Sequence, residues 1–130
     1  MTLTNYIQKL WNSAPLALIL IGAAFFRLLA VLFSKGYGMH DDHFLVIEAA
    51  QSWVDGRDYN YWIPSLSPQV TEPTGHSLLY PGLHYFLFRL LEGIGMFDPQ
   101  AKMYVVRLLH ALLSMTIVVM GYRLADRLQG

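Results

Sequence analysis

Four side chains able to accept a proton or bind a metal ion stand in a row at His40, Asp41, Asp42 and His43. Two crowded carboxylates titrate as a coupled pair, one of them holding its proton to higher pH, and such a pair suits a general base with an orienting partner. Oxygen ligands favour a hard divalent ion such as Mg or Mn, and the histidines tilt the choice toward Mn or Zn, with Asp42 and His43 as the candidate ligands. Neighbouring residues of regular structure cannot all point at one ion, so His76 and His84 are the groups that could join them from later in the chain. A plainer reading competes. Acidic residues belong at helix N-termini, where free backbone N–H groups and the helix dipole favour negative charge.

Glu48 follows Asp41 by seven residues and Asp55 follows by another seven, which in an α-helix sets three carboxylates along one face and Val46, Ala50 and Trp53 along another. Asp55 reads as part of a solvated face, and Glu48 as the later member of a possible site. Cations are few in this part of the chain. Arg89 is the local candidate for binding an anionic group, and its plainer role is headgroup contact. Arg27 either snorkels to an interface or turns inward to hold an anion.

The elements that must position these groups follow from hydropathy. Residues 15–33, PLALILIGAAFFRLLAVLF, form an apolar run that as a helix approaches the ~30 Å thickness of bilayer hydrocarbon. No small-x-small cleavage pattern follows it, so the run reads as an uncleaved anchor after a polar segment, residues 1–14. A second span is expected over 101–122, with Arg123 and Arg127 just beyond it in a terminal segment 123–130. Between the spans lie Asp41, Asp42, Glu48, Asp55, Asp58, Glu72, Glu92 and Asp98 against only Lys35, Arg57 and Arg89. Positive residues mark the cytoplasmic side, so both ends are expected there and the acidic loop 34–100 outside.

Within that loop a helix is expected over 42–55, capped by Asp42 and stopped by Gly56. Residues 59–75 hold three prolines and several Ser, Thr and Asn residues, a pattern of irregular surface structure. Residues 78–97 are apolar but broken by Pro81-Gly82, His84, Arg89 and Glu92. If they crossed the bilayer, Arg123 and Arg127 would emerge outside, so a helix in the outer interface is expected. The fold class read from the sequence is an all-α membrane protein: two transmembrane helices joined by a large extracytoplasmic loop with short interfacial helices.

Composition agrees. Of 130 residues, 55% are hydrophobic and only 14% charged, away from the usual soluble balance. Nine basic and nine acidic side chains cancel, which argues against a nucleic-acid partner, since phosphate binding needs a basic surplus. The chain has no cysteine, which excludes disulfides and thiolate metal sites.

The stretches RLLAVLFSKGYGMHDDHFLVIEAAQSWVDGRDY, TGHSLLYPGLHYFLFRLLEGIG and VVRLLHALLS, in that order, resemble the N-terminal region of polytopic glycosyltransferases of the GT-C fold. The likeness is nearest to mannosyltransferases of the GPI-anchor and lipid-linked oligosaccharide type. Their outer loop carries an acidic pair in a His-Pro-Asp-Glu-x-Phe-Gln setting, matched here by Asp41, Asp42 and Phe44, with Glu48 and Gly56 at the later glutamate and glycine. Ser77, Tyr80 and Pro81 resemble an Arg-Ser-x-x-x-Pro element. Met39-His40 stands in place of His-Pro, Leu45 in place of Gln, and His76 in place of Arg.

The resemblance implies transfer of a sugar, mannose or similar, from a polyprenyl-phosphate donor to an acceptor hydroxyl on the extracytoplasmic side. Asp41 would be the general base, Asp42 its partner or a metal ligand, and Glu48, His76 and Arg89 the donor-binding groups. The family's enzymes have many more spans, so the chain is expected to be an N-terminal part whose partners are the remaining spans. A bacterial inner membrane is the expected location, with the endoplasmic reticulum the alternative. The competing class is a non-catalytic membrane scaffold or a transporter subunit.

Overall fold

Proline at the first helical position loses no hydrogen bond, because the first N–H groups of a helix have no partner within it. Two helices of this chain begin in that way, at Pro15 and Pro99. The computed structural model describes residues 3–34, 43–63, 66 and 75–129, and the backbone alone at Leu3, His43 and Phe44. The described elements are α1 (Leu3–Ser13), α2 (Pro15–Phe33), a π-helix (His43–Glu48) running into α3 (Ala49–Val54), α4 (Leu79–Gly93) and α5 (Pro99–Gln129). Among the described residues there is no strand. The chain divides into two units, one of residues 1–34 and 103–130, the other of residues 35–102.

In the first unit α2 is apolar apart from Arg27, and only Val31 is buried. Ile21, Phe25, Phe26, Leu28, Leu32 and Phe33 are all exposed. The 103–129 part of α5 likewise exposes Leu112, Leu113, Ile117, Met120 and Leu124. A helix that is hydrophobic all round needs an apolar surrounding, either a protein core or a bilayer. The protein covers little of these two, and both are long and apolar enough to cross a membrane. Arg27 does not point along its helix to an end. Its guanidinium donates to the Ser114 hydroxyl of α5 and to the Ala23 carbonyl, while Ser114 donates to the Ala111 carbonyl. Before α2 stands α1, a helix in the segment that the sequence reading treats only as polar. It is separated from α2 by Ala14, whose φ of −152° and ψ of 60° interrupt the helical path.

In the second unit the π-helix and α3 pack on α4. Ala49, Ala50, Trp53 and Val54 are buried on one side, and Pro81, His84, Phe88 and Leu91 on the other. Both helices end in the same way. Gly56, with φ +72°, follows α3, and the N–H groups of Gly56 and Arg57 donate to the carbonyls of Trp53 and Ser52. Gly95, with φ +86°, follows α4, and the N–H groups of Gly95 and Met96 donate to Glu92 and Leu91. This is the Schellman closure, in which a left-handed residue lets two N–H groups turn back onto orphan carbonyls. Three residues later Asp98 caps α5: its carboxylate accepts from Ala101 N–H at 2.7 Å and its carbonyl from Lys102 N–H at 3.1 Å. At 15 residues α4 reaches about 22 Å, short of a bilayer's ~30 Å.

Candidate functional site

Asp41 and Asp42, and with them the metal pair of Asp42 and His43, lie outside the described residues as far as their side chains are concerned. What is described begins on the next peptide. His43–Glu48 is wound as a π-helix, with i→i+5 hydrogen bonds in place of i→i+4. The wider turn changes the face on which each residue falls. The seven-residue spacing puts Asp41 and Glu48 on one face at 3.6 residues per turn; Glu48 stands at the end of the π-helix, and Asp41 lies outside the described residues. The α-helical geometry begins at Ala49; Glu48, the last residue of the π-helix, is half-buried, while Asp55, just after α3, is exposed. Val46 is half-buried, Ala50 and Trp53 are buried, and they form the side that faces α4.

Trp53 anchors the start of the loop that follows. Its indole Nε1 donates to Asp58 Oδ1 at 3.1 Å, and Asp58 Oδ2 accepts from Ile63 N–H at 2.6 Å. Asp58 is buried, and these two donors are what make a buried carboxylate tolerable. Between them Tyr61 adopts φ +56°, a left-handed conformation that costs a residue with a Cβ. Trp62 then turns inward beside Trp53, with ring centroids 6.3 Å apart and an edge-on angle of 61°. Ala49, Trp53 and Trp62 form a buried cluster against which Leu45, Ile63 and Tyr85 pack.

The three donor-binding candidates occupy different settings. His76 is exposed, and its ring stacks on Trp62 at 4.8 Å and 21°, which ties it to the cluster around α3. Glu48 ends the π-helix. Arg89 is exposed on α4, one turn before Glu92, and its charge favours the ionised form of that glutamate. His84, named as a possible further metal ligand, is buried on α4 with Nδ1 donating to the Tyr80 carbonyl at 3.0 Å. Among the described residues no three His, Asp or Glu side chains gather as a metal-binding group.

A polar centre that the sequence reading does not single out lies where α3, α4 and the first turn of α5 meet. Lys102 is 3% exposed, and its Nζ donates to Glu92 Oε1 at 2.6 Å and to Gln51 Oε1 at 2.8 Å. Gln51 Nε2 in turn donates to Glu92 Oε1 at 3.0 Å and to Asp55 Oδ1 at 3.1 Å. The Lys102 ammonium also lies 5.5 Å from the centre of the buried Phe88 ring. Hydrogen bonds from Lys102, and then from Gln51, hold the Glu92 carboxyl below its ordinary value. The signal available in the sequence is faint: Lys102 sits in the first turn after an Asp-Pro start, where a cation gains nothing from the helix dipole and needs a partner elsewhere.

The centre is suited to holding α3, α4 and the first turn of α5 together, and the aromatic cluster to fixing the chain around Trp62 and His76. Searches against protein-family models, curated proteins and solved structures give no match to this chain.

Proposed function

We propose that this chain is the N-terminal part of an integral membrane glycosyltransferase that moves a sugar from a polyprenyl-phosphate donor to an acceptor hydroxyl on the extracytoplasmic side. The observation that carries the reading is the π-helix His43–Glu48, which starts on the residue after Asp41-Asp42 and is backed by α4. π-Helical turns are rare and concentrate at functional sites, whereas an acidic pair that only capped a helix would call for nothing but an ordinary α-helical first turn. The motif order supplies the reaction class.

In this mechanism Asp41 takes the proton of the attacking hydroxyl and Asp42 orients it, while the leaving lipid phosphate requires cations. Arg89 is the local candidate for that cation, and Glu48 and His76 are the groups that would contact the sugar. A Mg or Mn ion at Asp42 and His43 would offset phosphate charge. The membrane arrangement has α2 and α5 crossing the bilayer, both ends in the cytoplasm, and the acidic loop 34–100 outside, in a bacterial inner membrane. On α4 the exposed side chains Leu79, Leu83, Phe86 and Leu90 recur at helical spacing opposite the buried side, a stripe suited to the outer lipid interface.

The test uses the complete protein in membranes with a polyprenyl-phosphate mannose donor. Asp41→Asn is expected to lower transfer by about 10²-fold or more, the usual weight of a general base, with protein level and donor binding retained. Transfer that survives both Asp41→Asn and Asp42→Asn removes the pair from the chemistry, whereas a lack of donor-dependent transfer by the unaltered protein favours the scaffold or transporter reading.

A further inference from the structure

We infer that α1 is a membrane-surface helix, lying in the headgroup layer of the leaflet at which α2 begins with Tyr6, Ile7, Leu10 and Trp11 turned toward the acyl chains. The inference rests on α2 being a membrane span, and goes beyond it by giving the preceding segment a lipid partner. Its residues divide cleanly at helical spacing. Tyr6, Ile7, Leu10 and Trp11 fall within one arc, while Asn5, Gln8, Lys9 and Asn12 fill the opposite one, with Thr4 and Ser13 at the borders. The apolar arc is largely uncovered by protein: Tyr6 is 54%, Ile7 53% and Trp11 51% exposed, and Leu10 is half-buried.

Three arguments select lipid as the occupant. One residue, Ala14, separates α1 from the apolar α2, so whichever surface α2 enters is within reach of the whole of α1. The break at Ala14 frees α1 from continuing along the α2 axis. The composition also matches the boundary layer, with Tyr and Trp on the apolar side, uncharged polar residues and a single lysine on the other, and no acidic residue. An 11-residue helix is too short to be stable in water by itself, and a face this apolar supplies the missing stabilisation when lipid covers it.

The absence of cysteine makes the test direct. Single cysteines placed by Ile7→Cys, Trp11→Cys, Gln8→Cys, Asn12→Cys and, as a control for the span, Phe25→Cys carry a nitroxide label in the full chain reconstituted into phosphatidylglycerol-containing nanodiscs. Collision with oxygen, which partitions into lipid, is compared with collision with a water-soluble nickel chelate. The inference expects an oxygen-to-nickel ratio several-fold higher at 7 and 11 than at 8 and 12, at a shallow depth, with position 25 deep. Nickel access at all four α1 positions while 25 remains deep overturns the inference and leaves the span intact. Shielding of 7 and 11 from both reagents assigns the face to protein and also overturns it. Nickel access at 25 removes the span itself. The labels at 7 and 11 are read independently, so one poorly folding variant does not silence the experiment.

Discussion

At the scale of single residues, the Lys102–Glu92–Gln51 centre makes the sharpest claim about stability. Glu92 titrates below its ordinary value in the folded chain. A group with a depressed folded pKa contributes its full stabilisation above the unfolded carboxylate range, and that contribution is lost as pH falls through the folded value. Thermal unfolding in detergent, followed by tryptophan fluorescence from the buried Trp53 and Trp62, should therefore show a midpoint that drops on acidification below the carboxylate range. Glu92→Gln should lower the midpoint at neutral pH and flatten its acid limb. Its cost is expected at about 2 kcal/mol, below the ~3–5 kcal/mol of a fully buried pair. The discount follows from the water that reaches Glu92, whose side chain is 21% exposed against 4% for Lys102. An unchanged acid limb in the glutamine variant would assign the pH dependence to other carboxylates.

At the scale of elements, the two Schellman closures set where α3 and α4 stop. A Cβ at Gly56 or Gly95 meets no atom within 4 Å, so substitution there strains only the backbone. Gly56→Ala and Gly95→Ala are each expected to destabilise by roughly 1–2 kcal/mol, the cost of a left-handed conformation for a residue with a Cβ. Gly82→Ala, inside α4 at a position equally open and without a positive φ, should be neutral or stabilising. Equal effects at the three positions in a denaturant titration would refute the assignment. Gly56 is legible in the sequence as a helix stop because its lack of a Cβ is a local property. The π-helix before α3 is not, since hydrophobic spacing over six residues does not distinguish 3.6 from a wider turn.

At the scale of the whole molecule, the two long apolar helices carry the topology. If, as proposed, α2 and α5 cross the bilayer with the acidic residues outside, a cysteine introduced by Arg57→Cys, on an exposed position after α3, should react with a membrane-impermeant maleimide added to intact cells or spheroplasts. A cysteine introduced by Arg127→Cys, at the other end of α5, should react only after the membrane is opened. The reverse pattern would place the acidic pair in the cytoplasm, away from a donor presented on the outer face.

The sequence by itself determines the all-helical class and the two apolar helices, because both depend on runs of local composition long enough to outweigh any tertiary context. It also brings the acidic pair into view through residue type and motif order. Tertiary structure decides which polar groups meet. Gln51, Glu92 and Lys102 are separated by 41 and 10 residues, and no local pattern tells that they converge on one carboxylate oxygen. The same holds for Arg27 and Ser114, 87 residues apart, where only helix packing turns an expected snorkelling or inward-facing arginine into a hydrogen-bonded one. Around Asp41-Asp42 the division is similar: the pair is written in the sequence, while the π-helix that starts beside it and packs on α4 is seen only in the structure, which a reading of spacing cannot supply.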